Sequence, residues 1–279
     1  MTPACHPSEN RLLAALPDAD LARLLPELEL VTLSRGDVLR ESGIRMRHAY
    51  FPVTAIVSMV YVMSDGGSAE IAVQGNEGLV DFTILMGGHT TPSTSVVQVG
   101  GFAYRISERV LREAFERRGP TQELLLRYTQ ALITQMGQTV VCNRHHTLEQ
   151  RFFRSLLLTL DRSSGDELAM THESMANRIA VRREGVTEAA HNAQKAGLIR
   201  YQRGHVTVLD RARLEARTCE CYAVVRREYE RLLPQHPPSL AECEKRGHAS
   251  EALAGGQTGS HPPARMGESD QAERASAKS

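Results

Sequence analysis

The chain has 279 residues, 41% hydrophobic and 24% charged, a globular composition with room for one large domain or two ordinary ones. Its 33 Lys and Arg balance its 33 Asp and Glu, so a nucleic-acid surface has to be a local patch. No apolar run approaches the roughly 18 residues of a membrane span, and residues 1–10 lack a basic start and an apolar core, so a cytoplasmic protein with no membrane partner is expected.

In residues 10–28 leucines recur on helical faces, broken by Pro17 and Pro26 into short pieces. Residues 30–106 change to β-branched segments between glycine turns. Segments 55–63 and 69–74 flank Asp65-Gly66-Gly67, a hairpin signal, and 93–99 and 102–106 flank Gly100-Gly101. This spacing predicts a small barrel or sandwich. A short helix is expected over 107–117, then a long one over 120–142, opened by Pro120 and about 35 Å in length. On it Leu125, Tyr128, Leu132, Met136 and Val140 form an apolar stripe, and Leu126, Ile133 and Val140 a second row at heptad spacing. Two rows call for two partners: the β domain and a second copy of the chain. The five stripe residues are therefore the expected dimer helix, with burial inside one subunit as the alternative. Residues 143–146 read as a polar break, and Thr147 with Gln150 as a capping box opening a helix to about Leu160. Residues 235–279, rich in Pro-Pro and Gly-Gly pairs and poor in bulky apolar residues, are expected to be a disordered tail.

The five cysteines, Cys5, Cys142, Cys219, Cys221 and Cys243, are odd in number and do not suggest a disulfide framework. Cys219-x-Cys221 is closer than a zinc knuckle requires and has no second pair. The thiols therefore read as reduced structural residues, and no metal or cofactor is expected.

The informative segment is 170–209. Thr171 is an N-cap, Met175, Ala176 and Ile179 face inward, the chain turns at Ala180-Val181, and a second helix spans about 182–196 with Val186, Ala189, Ala190 and Ala193 inward. Gly197 suits the residue after its end, and two strands around Gln202-Arg203-Gly204 complete a winged helix-turn-helix. Arg182 and Arg183 stand at the positive end of the second helix, where each cation costs about 0.3–1 kcal/mol unless an anion is near. Residues 171–209 hold six Lys and Arg (178, 182, 183, 195, 200, 203) against three acids (173, 184, 188), a basic patch in a neutral chain. Gly185 inside the helix suggests close approach, either to DNA or to a neighbouring element.

The order β-roll, long helix, winged helix-turn-helix resembles the Crp/Fnr superfamily of bacterial transcription regulators over about residues 10–233, most specifically at 171–186 with Arg183-Glu184-x-Val186. The resemblance implies an α+β fold: a cyclic-nucleotide-binding-like β-roll sensor at 10–119, a dimerisation helix and hinge at 120–146, and a winged helix-turn-helix at 147–234. It implies double-stranded DNA as ligand, a homodimer, and RNA polymerase as a further partner. Arg183 and Glu184 match the family's base-reading positions. Glu188 stands where the family often has an arginine, so the preferred sequence should differ. Thr171, His172, Arg182, Thr187, Lys195, Arg203 and His205 complete the expected DNA surface.

The family's nucleotide pocket would correspond to residues 75–99, with Gly78, Asp81, Ser93 and Thr94 as the candidate effector residues. No Lys or Arg lies between Arg47 and Arg105, so a cation for a buried phosphate is not visible and cyclic AMP is not the expected effector. With Cys5 alone near the N-terminus an iron–sulfur sensor is not expected, and haem at His48 or His89 has no motif behind it. His145-His146 at the hinge suggest a pH- or ligand-linked coupling or, more simply, a solvated helix break. No P-loop, dinucleotide glycine fingerprint, HExxH or GxSxG is present, so an enzyme is not expected. The alternative function is a β-roll regulatory module that binds a ligand or protein and not DNA.

Overall fold

Asn10 is buried yet fully partnered. Its oxygen accepts from the Leu12 and Leu13 N–H groups, and its amide donates to the carbonyls of Pro52 (2.8 Å) and Gly78 (2.9 Å). This one side chain caps α1 (Arg11–Ala14) and ties it to the sheets; α2 (Asp18–Leu24) follows Pro17. The computed structural model describes residues 6–163 and 165–234, all within one unit, so the expected tail at 235–279 lies outside the described residues, as do Cys5 and Cys243.

Seven strands form the expected roll: β1 (Glu29–Leu33), β2 (Val38–Arg40), β3 (His48–Pro52), β4 (Ile56–Val62), β5 (Ser68–Gln74), β6 (Thr94–Val99) and β7 (Gly101–Ser107). They make two antiparallel sheets, β1-β7-β3 and β2-β6-β4-β5. Then come α3 (Glu108–Glu116), capped by Ser107, and α4 (Pro120–His145). The expected break at 143–146 is corrected: the long helix runs through Asn143, Arg144 and His145. Polar side chains alone do not end a helix, and the stop comes at His146 before the Thr147 cap.

The dimer stripe is also corrected. Leu125, Tyr128 and Leu132 are buried in the subunit's own core against the roll, and Met136 packs beside them. Of the five, Val140 alone is exposed, and it continues the second row, Leu126 (51% exposed), Ile133 (54%) and Val140 (63%). The richer stripe has gone to the larger partner, the sheet, and the heptad row faces outward.

The C-terminal part holds α5 (Leu148–Leu160), opened by the Thr147/Gln150 capping box, then β8 (Glu167–Ala169), α6 (His172–Arg178), α7 (Arg183–Lys195), β9 (Ile199–Gln202), β10 (His205–Val208), α8 (Arg211–Arg217) and α9 (Glu220–Leu232). The wing has three strands, β8-β10-β9, where two were expected. The two halves share a core: Ile56 and Val73 of the roll are buried in one cluster with Phe152, Leu156, Met175 and Val186. Two buried ion pairs join the same halves, Arg162 Nε–Glu77 Oε1 at 2.6 Å and Arg178 Nε–Glu70 Oε2 at 2.9 Å. Helix α9 then returns to pack against α4. Among the described residues no helix is long and apolar enough to cross a membrane.

Candidate nucleic-acid interface

The geometry of the helix-turn-helix follows from its caps. Thr171 Oγ1 accepts from Ser174 N–H (3.1 Å) and Ser174 Oγ from Thr171 N–H (3.2 Å), which starts α6. Ala180 in the turn has φ +49°, a left-handed conformation unusual for a residue with a Cβ. Arg182 caps α7 with no side-chain hydrogen bond to the helix. At the other end the Gly197 N–H donates to Gln194 O and the Leu198 N–H to Ala193 O, the Schellman pattern. Val186, Ala189, Ala190 and Ala193 are buried as the periodicity requires.

This leaves the outer face of α7 free. Arg182, Arg183, Glu184, Thr187, Glu188 and Lys195 are all exposed. Neither arginine forms an ion pair among the described residues, and Glu184 is the single acid in that first turn, so positive charge is in excess at the helix N-terminus. Lys195 sits twelve residues after Arg183, about 18 Å along the helix, and does not belong to the same reading end. Arg203 and Gly204, at φ +50° and +80°, form the two-residue turn of the wing, with Gln202 paired to His205. Arg203 is exposed at its tip, while His205 Nδ1 lies 2.9 Å from Glu167 Oε1.

Arg178 does not belong to the basic surface: it is buried against Glu70 and donates to Thr159 Oγ1 at 2.7 Å. Five exposed cations then face three exposed acids over 171–209. The structure adds a cation no local motif indicated, exposed Arg35, whose Nη2 donates to Ser174 Oγ at 3.4 Å beside the α6 cap.

His172 is turned inward from the expected phosphate contact. Its ring stacks on Tyr201 (centroids 4.2 Å apart), Nδ1 lies 3.0 Å from Thr187 Oγ1, and Nε2 is buried. Burial first, and then Arg183, hold its pKa below the usual imidazole range, so it stands neutral as a support for α7. Gly185 lies against α5: a Cβ there would sit 2.5 Å from Leu148 Cδ1, which would have to shift.

The candidate effector residues lie in the roll. The cation missing from 48–104 is supplied from outside that window by Arg40 of β2. Arg40 Nε donates to Asp81 Oδ1 at 2.8 Å, Nη2 to Ser93 Oγ and Ser95 Oγ (both 3.2 Å), and Nη1 to the Ser93 carbonyl. Ser95 Oγ donates to Asp81 as well, at 2.9 Å. Arg40, Asp81, Ser93 and Ser95 are all buried, so this guanidinium is neutralised from within the chain. Thr94 is half-buried on β6, and Gly78 packs under Tyr128 of α4, where a Cβ would lie 2.5 Å from the hydroxyl.

Residues 150–217 match the family described as the Crp-like helix-turn-helix domain. Among solved structures the chain is similar to a protein described as a Crp/Fnr-family transcriptional regulator from Eubacterium rectale (TM-score 0.59, 16% identity, covering 75% of this chain and 98% of that one). It is also similar to FixK2 from Bradyrhizobium japonicum (0.57, 13%, 69% and 98%) and to a CRP-family transcriptional regulator from Thermus thermophilus (0.56, 20%, 67% and 95%). At these identities the likeness is one of fold. No curated protein matches the chain.

Proposed function

We propose that this chain, which has the Crp/Fnr fold and carries a Crp-like helix-turn-helix domain, is a sequence-specific, homodimeric, cytoplasmic DNA-binding transcription regulator that is not controlled by cyclic AMP. The observation that carries the reading is the exposed, unpaired Arg182–Arg183 at the N-terminus of α7. A backbone phosphate supplies an anion there, and a guanine edge supplies the paired O6 and N7 acceptors that a guanidinium engages. In this reading Arg183 and Glu184 read bases, Thr187 and Glu188 line the next turn, and Thr171, Arg182, Arg35, Arg203 and His205 face phosphates. RNA polymerase is a further partner, and no catalytic activity is assigned.

Two features support the finer points. The exposed row Leu126, Ile133 and Val140 is an apolar seam at heptad spacing, suited to the same seam of a second copy across a two-fold axis. In the roll, Arg40 beside Ser93 is already paired with Asp81 in a buried network, which leaves it no free charge for a phosphate. Selection of bound sequences from a random DNA pool, followed by shift assays, tests the reading. Arg183→Ala should lose about 1–3 kcal/mol at one base position. Equal weakening on every sequence would make Arg183 a phosphate contact, and no enrichment of any sequence would leave the regulatory-module alternative. Calorimetry showing micromolar or tighter cyclic AMP binding would refute the last clause.

A further inference from the structure

The cysteines do not stay apart as their spacing suggested. Cys142 and His146 are four residues apart near the end of α4 and share a face. Cys219 is the N-cap of α9 and Cys221 its second residue. Packing of α9 on α4 brings the Cys142, Cys219 and Cys221 sulfurs and one His146 ring nitrogen within 4.8 Å of one another. Cys142 Sγ lies 3.5 Å from Cys219 Sγ, and Cys221 Sγ lies 3.6 Å from His146 Nδ1. The three thiols are 0–3% exposed and form a cluster of their own, apart from the apolar cores.

These distances have a simple meaning. A tetrahedral ion with sulfur at about 2.3 Å and nitrogen at about 2.0 Å separates its ligand atoms by roughly 3.3–3.8 Å. The Cys142–Cys219 and Cys221–His146 separations already have that size, and with all four atoms within 4.8 Å the set closes on one ion by side-chain adjustment alone. The surroundings suit it as well. His146 Nε2 lies 3.3 Å from Glu220 Oε2, the outer carboxylate that orients a metal-bound imidazole ligating through Nδ1. The N-terminus of α9 favours negative charge at Cys219 and Cys221, and the buried guanidinium of Arg154 adds positive charge beside Cys142 and Cys221.

We propose that Cys142, His146, Cys219 and Cys221 form a closed Cys3His site for a divalent ion of the zinc class, stapling the start of α9 to the end of α4. Soft thiolates, one imidazole and tetrahedral spacing select zinc over calcium or magnesium. Four protein ligands leave no position for a reacting water, so the site is structural. It lies at the junction between the long helix and the helix-turn-helix domain, and it gives His146 a purpose distinct from that of exposed His145.

The test uses the full chain purified under reductant without added metal. Elemental analysis should give one zinc per chain, retained against a weak chelator. Zinc-edge X-ray absorption should fit three sulfurs at about 2.3 Å and one nitrogen at about 2.0 Å. Cobalt exchanged for the zinc should show the intense bands of a tetrahedral thiolate complex. Glu220→Gln should still load but bind about 10–100-fold more weakly. Because Cys142→Ser could simply misfold, the decisive readings are those on the unaltered chain. Zinc far below one per chain, an absorption fit with nitrogen and oxygen only, iron with inorganic sulfide, or a Cys142–Cys219 disulfide in protein isolated without oxygen would each overturn the site.

Discussion

The contact between Glu77 and Arg162 gives the sharpest energetic test of how the DNA reader is held to the roll. Both side chains are under a tenth exposed and meet at 2.6 Å. Arg162 spends its other donors on Leu158 O (2.6 Å) and Gln135 Oε1 (2.8 Å), and Glu77 Oε2 accepts from the Gly75 N–H at 3.1 Å. Glu77→Ala removes the carboxylate paired with a buried guanidinium and orphans one backbone donor. Breaking a buried pair from one side costs about 3–5 kcal/mol, equivalent to a fall in Tm of about 6–20 °C for a chain of this size. Glu77→Gln keeps an acceptor and loses only the charge, so it should cost less, about 1.5–3 kcal/mol. The double change Glu77→Met with Arg162→Met removes both charges and should recover most of the loss. Urea unfolding of the three variants against the unaltered chain decides the matter. A cost below about 1 kcal/mol for Glu77→Ala, or no recovery in the double variant, would refute the view of this pair as a desolvated clamp.

Other expectations follow from single positions. Ala180→Gly relieves a left-handed backbone at the turn and should stabilise by about 1 kcal/mol in the same melts, with DNA affinity unchanged. Ile133→Glu on the exposed seam should leave the monomer's melting intact but shift sedimentation toward monomer and weaken binding to two-half-site DNA far more than to a single half-site. His172 is lowered by burial, so the folded state binds fewer protons at this ring than the unfolded chain. Stability should be unaffected by it above about pH 6.5 and fall as pH drops below that value; His172→Phe should flatten this slope between about pH 7 and pH 5. A slope that survives the substitution would place the titration elsewhere.

What could be read in advance was local. The Thr147/Gln150 and Thr171 caps, the inward face of α7 and the Asp65-Gly66 hairpin all depend on residues within a few positions of one another, and all of them form. What could not be read depends on distant partners. Arg178 looks like one more cation of a basic patch until β5 presents Glu70, 108 residues earlier. Arg40 lies outside any window drawn around the pocket, yet the β2–β6 pairing carries it to Asp81. The long helix displayed two apolar rows, and periodicity alone could not say which of them the roll would take. The cysteines are the extreme case. Cys142 and Cys219 are 77 positions apart and meet only because α9, which drew no expectation, folds back on α4.

The shared core of Ile56 and Val73 with Phe152 and Met175 has a mechanical consequence. A reader rooted this deeply in the roll cannot swivel on a loose tether to find its target. Two such subunits joined along α4 would act as a caliper with fixed jaws. One base pair inserted between half-sites rotates the second by about 34–36°, and a caliper tolerates that poorly. Under the proposed dimeric reading, the DNA sites it selects should therefore vary in sequence far more freely than in spacing.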